Sequence, residues 1–358
     1  MTSAPEPGAP VDPDAPAGAG PPAGPAPLPE PTARLLHRFL ASLRSRLPLR
    51  ALWAHGSLAG GDYRQGRSDL DLIALLDRPC TPEEERHLGE LHKTLETTDS
   101  LAAKLHCSYL VADGTAVDPE RDHLTWAHQE LMHRPVTPVT RRELHTFGRV
   151  LHGEAPAAFL PPVTDAQLAA FVLTDLRDFW RPALDHPERW LQDIWVDLGL
   201  LTLARATVTL RDGTLISKGE ALAVLDELGA PRDVVTDIRN RRYGPPASTP
   251  ASTPASTPAS TPAPTPAPTP APTPVPAPPP APTPPQPPTP ARPHPPHWPT
   301  HRAALTRAFL GPAIDRTLAT YGDTLPTPNP MPTPMPLPTP TPTSTPTSTS
   351  TPPPKAPD

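Results

Sequence analysis

Proline decides how much of this chain can fold. Of its 358 residues, 64 are proline, and most of them crowd into residues 1–31, 245–300 and 324–358 beside Ala, Gly, Ser and Thr. Such stretches have little apolar surface to set against an ordering entropy of about 1–2 kcal/mol per residue. They are expected to be disordered or to adopt polyproline II. The foldable chain is then 32–244 plus a short island at 301–323, enough for one two-layer domain and a smaller partner. Within the long tract, Ala-Ser-Thr-Pro repeats from 247 to 262 and drifts to Ala-Pro-Thr-Pro. No such unit can bury a face, so this is low complexity and not a solenoid. In the island, Leu305, Phe309, Ile314, Leu318 and Tyr321 share one face of a helix expected over 301–322, kinked at Gly311-Pro312. Closing a 56-residue tether costs about 3.5 kcal/mol. Four or five large buried side chains offset it at about 1.5–3 kcal/mol each. The island is therefore expected to pack back, making the tract an insertion between the last two helices.

Charge and cysteine content exclude several classes. A net charge of −6 argues against a nucleic-acid-binding protein and is compatible with a cationic small-molecule substrate. The two cysteines, Cys80 and Cys107, lack metal-site spacing and suit a reducing compartment. The start, MTSAPEPGAP, has no signal-peptide pattern, and no apolar run reaches the roughly 18 residues of a membrane span. A cytoplasmic protein is expected.

Periodicity divides the foldable part in two. Leu35, Leu36, Phe39, Leu40 and Leu43 mark a helix over 32–48, and a capped helix follows at 81–98. Short strands are expected at 51–55, 68–76 and 104–112. From about 120 the pattern reads as helical: 139–153 as one helix ending at a glycine, then 164–184, 190–210, 216–228 and 231–244. The segment 190–210 is apolar nearly all round and is expected to be central to its bundle, with Trp190 and Trp195 in the core.

The chemistry is concentrated in one stretch, GSLAGGDYRQGRSDLDL, residues 56–72. A strand has period two, so Asp69 and Asp71 share a face about 6–7 Å apart. Paired carboxylates at that spacing hold hard cations such as Mg²⁺, and two ions about 3.5–4 Å apart clamp both oxygens of a phosphoryl displacement. Gly56 and Ser57 sit where the preceding strand turns, a place for backbone N–H groups and a hydroxyl to meet phosphate. Further on, Ser217 and Glu220 form a capping box that puts Lys218 at the first helical turn. A cation there opposes the helix dipole by about 0.3–1 kcal/mol, a cost that a bound anion would reverse. Arg205 lies on the mostly buried helix, where a structural ion pair is the alternative. Asp193 and Asp197, at i and i+4, repel by a few tenths of a kcal/mol, roughly. An acceptor's ammonium groups would relieve that; a solvated face is the rival.

Gly-Ser, some ten residues, then Ser-Asp-x-Asp-hydrophobic resembles the signature of the DNA polymerase β-like nucleotidyltransferase superfamily. LLTLARATVTLRDGTLISKGEAL, residues 200–222, resembles the C-terminal domain of aminoglycoside adenylyltransferases acting on streptomycin and spectinomycin. The resemblance implies an α+β chain: a small mixed-sheet nucleotidyltransferase domain over 32–155, then an all-α helical bundle domain over 156–244 completed by 301–323, with disordered Pro-rich segments. It implies ATP and Mg²⁺ as cofactors, Asp69 and Asp71 as metal-binding catalytic residues, and Gly56, Ser57, Arg205 and Lys218 on the nucleotide. AMP would pass to a hydroxyl of a small polar acceptor, an aminoglycoside, in a cleft between the domains, with Asp193 and Asp197 on the acceptor. The superfamily usually adds a third acid from the third strand. Here the matching position is His106, a general base near neutral pH or a metal ligand. Alternatively His106 is a plain strand residue and Asp113 or Glu130 supplies the acid. Two further readings stay open: a degenerate nucleotidyltransferase that binds nucleotide or partner without catalysis, its Pro/Thr tracts docking polyproline-reading domains, and an enzyme modifying a protein hydroxyl.

Overall fold

The computed structural model describes residues 27–113, 121–245 and 296–322. Apart from their edges, the Pro-rich segments expected over 1–31, 245–300 and 324–358 lie outside the described residues.

The chain opens with helix α1 (Glu30–Arg46), strand β1 (Leu49–Ala54), the single turn α2 (Gly56–Ala59) and strand β2 (Leu70–Leu76). Helix α3 (Pro82–Thr98) and a 3₁₀ turn lead to strand β3 (Leu105–Val111). Thr81 caps α3 by a full capping box, with Pro82 and three acids in its first turn. Strands β4 (Asp122–Ala127) and β5 (Glu130–Pro135) form a hairpin, followed by helix α4 (Pro138–Phe147) and the short strand β6 (Arg149–His152). The six strands run in the order β5-β4-β3-β2-β1-β6. Among them only β2 and β3 pair in parallel, joined by α3, and the other pairings are antiparallel. The sheet is thus mixed.

Its two faces are separated by alternation. Leu70, Leu72, Ala74 and Leu76 of β2 turn toward α1 and α3, packing with Leu35, Phe39, Leu43 and Leu88. Ile73 and Leu75 turn the other way, with Trp53, Leu110 and Leu144. By the same period-two rule Asp69 and Asp71 belong to this second face.

Two expectations are corrected here. The region after 120 is not all helical, since β4 and β5 extend the sheet. Their two-residue turn holds His128 and Gln129 at φ 53° and 67°, the geometry usually given to Asn-Gly. With no Gly, Asn or Asp at the turn, the hairpin is hidden in the sequence. Residues 139–153 are not one helix either. Gly148 ends α4, and Arg149–His152 runs antiparallel to β1 as an edge strand. Four residues with one exposed Val150 leave too short an alternation to read.

The second half is helical: α5 (Asp165–Asp175), a π-turn (Leu176–Trp180), α6 (Arg181–Ala183), α7 (Asp193–Asp212), α8 (Lys218–Glu227), α9 (Arg232–Tyr243) and α10 (Trp298–Tyr321). The helix expected over 164–184 runs without a break from Asp165 to Ala183 but widens to a π-turn just before Pro182, whose missing N–H and bulky ring break the i→i−4 ladder. Trp190 precedes α7 in a 3₁₀ turn and is fully buried, and Trp195 lies on α7. Both pack with Trp180, Leu200 and Leu203 in one core. Helix α10 joins that core through Leu310, Ala313 and Ile314 and runs through Pro312 as one helix. Among the described residues no helix is long and apolar enough to cross a membrane.

Candidate active site

One cavity of about 790 Å³ lies between the sheet and the helices, toward the large end of single-ligand pockets. Its floor is the polar edge of β2 and the turn after β1. Asp69, Asp71, Gly56 and Ser57 all line it. Gly56 is held at φ 60°, and a Cβ built on it would fall 2.7 Å from Asp71 Oδ2. No other residue admits that approach, because any side chain would strike the carboxylate while also paying for the left-handed backbone. The spacing between Gly56 and Asp71 in sequence thus becomes contact in space.

The two carboxylates have different neighbours. Asp69 stands 3.4 Å from Lys104 Nζ. Asp71 is paired in the sheet with His106, whose Nδ1 lies 3.6 Å from Asp71 Oδ1. Burial pushes the Asp71 carboxyl up, but His106, His55 and Lys218 outweigh it and bring it down to about 2. Asp71 is therefore a fixed anion. His106 also meets His128 edge to face, ring centroids 5.1 Å apart, and Arg134 lines the same wall. Burial lowers the Arg134 pKa against the pull of Asp71. Neither Asp113 nor Glu130 is among the residues lining the cavity.

Glu143 of α4 was not singled out from sequence, and it ties the site together. Its carboxylate accepts from the Gly56 N–H at 3.1 Å and from Arg205 Nη2 at 3.0 Å, and it meets His55 Nδ1 at 3.1 Å. Burial works to raise its pKa, yet His55 and Arg205 hold it below the ordinary glutamate value. The Gly56 amide is thus already engaged by a protein carboxylate. Arg205 makes the structural ion pair that stood as its alternative, and its Nε donates to Ile216 O at 2.9 Å. Nη1 and the second hydrogen of Nη2 are left for a phosphate oxygen. The sequence signal for Glu143 was faint: α4 has few apolar residues, so the face it buries includes Arg141 and Glu143.

Lys218 lines the cavity at the first turn of α8, behind the Ser217–Glu220 capping box. Burial, then Arg242, lower its pKa against Asp71 and Asp69. Arg67 and Arg242 also line the cavity, and Arg67 Nη1 donates to Arg242 O at 3.0 Å. These cations escaped the sequence reading because nothing in an Arg-rich C-terminal turn says which arginine points inward. Asp62, also at the wall, accepts from Tyr243 OH at 2.9 Å and Gly219 N at 3.2 Å, linking the loop after α2 to α8 and α9.

Asp193 and Asp197 do not form an open acidic face. Asp197 pairs with Arg241 at 2.5 Å, and Asp193 pairs with Arg302 of α10. Arg302 and Arg241 both also bind Asp237. Asp197 lines the cavity and Asp193 does not.

Residues 36–114 match the family model described as a nucleotidyltransferase domain. The chain carries a nucleotidyltransferase domain. The match takes in the Gly-Ser turn, the Asp pair and His106. A solved structure similar to this chain is spectinomycin adenyltransferase AAD(9) from Enterococcus faecialis, with ATP and spectinomycin. The two share 14% identity, the likeness covers 59% of this chain and 88% of that one, and the TM-score is 0.45. No curated protein matches the chain.

The donors of the nucleotidyltransferase domain suit a hard divalent ion. Among the described residues, no three His, Cys, Asp or Glu side chains gather into a metal-holding group. Asp69 and Asp71 are the carboxylates that could hold such an ion, with phosphate and water oxygens to complete its shell as Mg²⁺ commonly requires. The lack of a side chain at Gly56 leaves room for Asp71 Oδ2, while His106 lies beside Oδ1, and the carboxylate still lines the cavity.

Proposed function

We propose that this nucleotidyltransferase transfers AMP from Mg-ATP to a hydroxyl of a small, polar, cationic acceptor of the aminoglycoside or aminocyclitol kind. The observation that carries the reading is a single cavity in which Asp69 and Asp71 face Lys218, Arg67 and Arg242. Acids that hold a cation and bases that hold a triphosphate share one space, and an aromatic wall that includes Asp175 lies beside them.

Asp69 and Asp71 would hold the ion, which supplies charge neutralisation at the reacting phosphate. Lys218, with Arg67 and Arg242, balances the triphosphate, and Ser57 offers a hydroxyl at the turn. Arg205 acts mainly by position, since Glu143 and Ile216 fix it. The acceptor oxygen attacks the α-phosphorus in line; the new O–P bond forms as the bond to the β-phosphate oxygen breaks, and pyrophosphate leaves. His106 takes the hydroxyl proton, with Asp71 beside its Nδ1. Catalysis is then chiefly positioning and charge stabilisation. Asp175, on the helical side of the cavity, favours a small cationic acceptor over a protein hydroxyl.

Incubation with labelled ATP, Mg²⁺ and a panel of aminoglycosides, following pyrophosphate, tests the reading. Acceptor-dependent release that vanishes in Asp69→Asn/Asp71→Asn supports it. Release absent across the panel, or unchanged in the variant, removes it. One observation favours a second reading: His106, not a carboxylate, stands beside Asp71. ATP binding without release would select a nucleotide-binding protein without catalysis.

A further inference from the structure

Four acids of the cavity have basic partners; of two more, Asp62 takes two neutral donors and the exposed Glu220 takes the Ser217 N–H. Asp69 has Lys104, Asp71 has His106, Glu143 has Arg205 and His55, and Asp197 has Arg241. Asp175, at the end of α5, differs. Among the described residues its one hydrogen-bond partner is neutral, the Trp180 indole N–H, 3.0 Å from Oδ2. No cation compensates it. Burial raises its pKa to about 6, and only the indole bond opposes. A half-buried carboxylate with one neutral donor is poorly compensated unless something else pairs with it.

The chain has gone to some trouble to place it there. Residues five apart on a regular α-helix lie about 140° apart around the axis. The π-turn at Leu176–Trp180 widens the helix so that Trp180 comes over Asp175, and such widened turns recur at functional positions. Phe171 and Phe179, one helical turn before and after Asp175, and Trp180 line the same cavity as the carboxylate. Phe179 is braced edge to face on Trp180 and stacked on Trp195, at 5.1 and 6.1 Å. A carboxylate among aromatic faces is a site for an ammonium group, which is drawn by the charge and by the rings.

We propose that Asp175 is the specificity-determining residue for the acceptor, forming an ion pair with a protonated amine of an amine-bearing small molecule held between Phe171 and Phe179. This rests on the adenylyl-transfer reading for its biological meaning, but the contact itself is a binding event. Asp193 and Asp197, the acids that spacing singled out, carry their own arginines and leave this task to Asp175.

Equilibrium binding of spectinomycin, streptomycin and 2-deoxystreptamine, each beside its N-acetylated form, tests the pair with and without ATP. The amines are expected to bind the full chain at least tenfold more tightly than the acetylated forms. Asp175→Asn should lose at least tenfold in amine affinity while ATP binding is unchanged. Its amide oxygen still accepts from the Trp180 indole, so folding is kept, and thermal unfolding checks this. Asp175→Glu, which restores charge, should recover part of the loss; a merely structural role would not follow charge in this way. Amines that bind no better than their acetylated forms, or that bind Asp175→Asn as well as the native chain, overturn the proposal. Loss of ATP binding in the native chain would instead remove the adenylyl-transfer reading and leave the amine test standing.

Discussion

Two pairs of aspartates invite comparison. Asp69 and Asp71 are spaced for one face of a strand, and Asp193 and Asp197 for one face of a helix. Both spacings hold, yet the outcomes diverge. The strand pair meets the cavity, each carboxylate making one ion pair, at 3.4 Å and 3.6 Å. The helix pair is absorbed into a cluster with Arg241, Arg302 and Asp237 that fastens α10 and α9 to α7. Spacing tells which side chains look the same way. It does not tell what fills the space they look into, and here α10 arrives from across a long Pro-rich tract to fill it.

The comparison breaks if the two pairs respond alike to substitution. Asp71→Asn should cut acceptor-dependent pyrophosphate release by about 10³-fold, in line with losing one charge-stabilising group, while the chain stays folded. Arg302→Ala should do the reverse. Arg302 is 2% exposed, and removing one partner of a buried pair costs about 3–5 kcal/mol, read as a lower denaturation midpoint. Activity per folded molecule should be kept. If Arg302→Ala abolishes activity in folded protein, the helix cluster belongs to the site after all.

Gly56→Ala sharpens the strand side. The added methyl meets Asp71 Oδ2, and the left-handed backbone adds about 1 kcal/mol. The expected result is a modest drop in stability with a release rate down by at least tenfold, because Asp71 must move. Measuring kcat and the denaturation midpoint together separates the two parts. An unchanged rate would show that Asp71 does not need its place against the turn.

Much of the sheet half was legible because its signals are local. Three strands, two amphipathic helices and the Gly-Ser to Asp-x-Asp stretch each declare themselves within twenty residues. What stayed hidden depends on distant partners. The β4–β5 hairpin turns at His128-Gln129, a pair with no turn chemistry, so His128 and Arg134 could not be placed near His106. Glu143 looks like any helix surface glutamate until Gly56 and Arg205 come to it from 87 and 62 residues away. Asp175 depends on a π-turn that hydrophobic periodicity does not reveal. Fold came from pattern, and the site came from contacts between patterns.

A last effect concerns a buried group away from the chemistry and is small near neutral pH, and it sets the strand face opposite Asp71 against the face that carries it. His92 of α3 stacks on Trp126 at 4.6 Å and bonds Tyr109 OH through Nε2 at 2.7 Å. Burial, then the charge on His106, lowers its pKa from the ordinary value to about 3. Because the folded pKa is depressed, the unfolded chain binds the proton first as pH falls. The contribution is whole above pH 6.5 and is lost between 6.5 and about 3. The slope is about 1.4 kcal/mol per pH unit at most. His92→Phe keeps the ring stack, loses the Tyr109 bond and removes the titration. Its stability should start lower at pH 8 and converge on the native chain as pH drops toward 4, in denaturant midpoints taken across that range. Parallel curves would mean that His92 titrates alike folded and unfolded, and that the face beneath α3 is wetter than its packing implies.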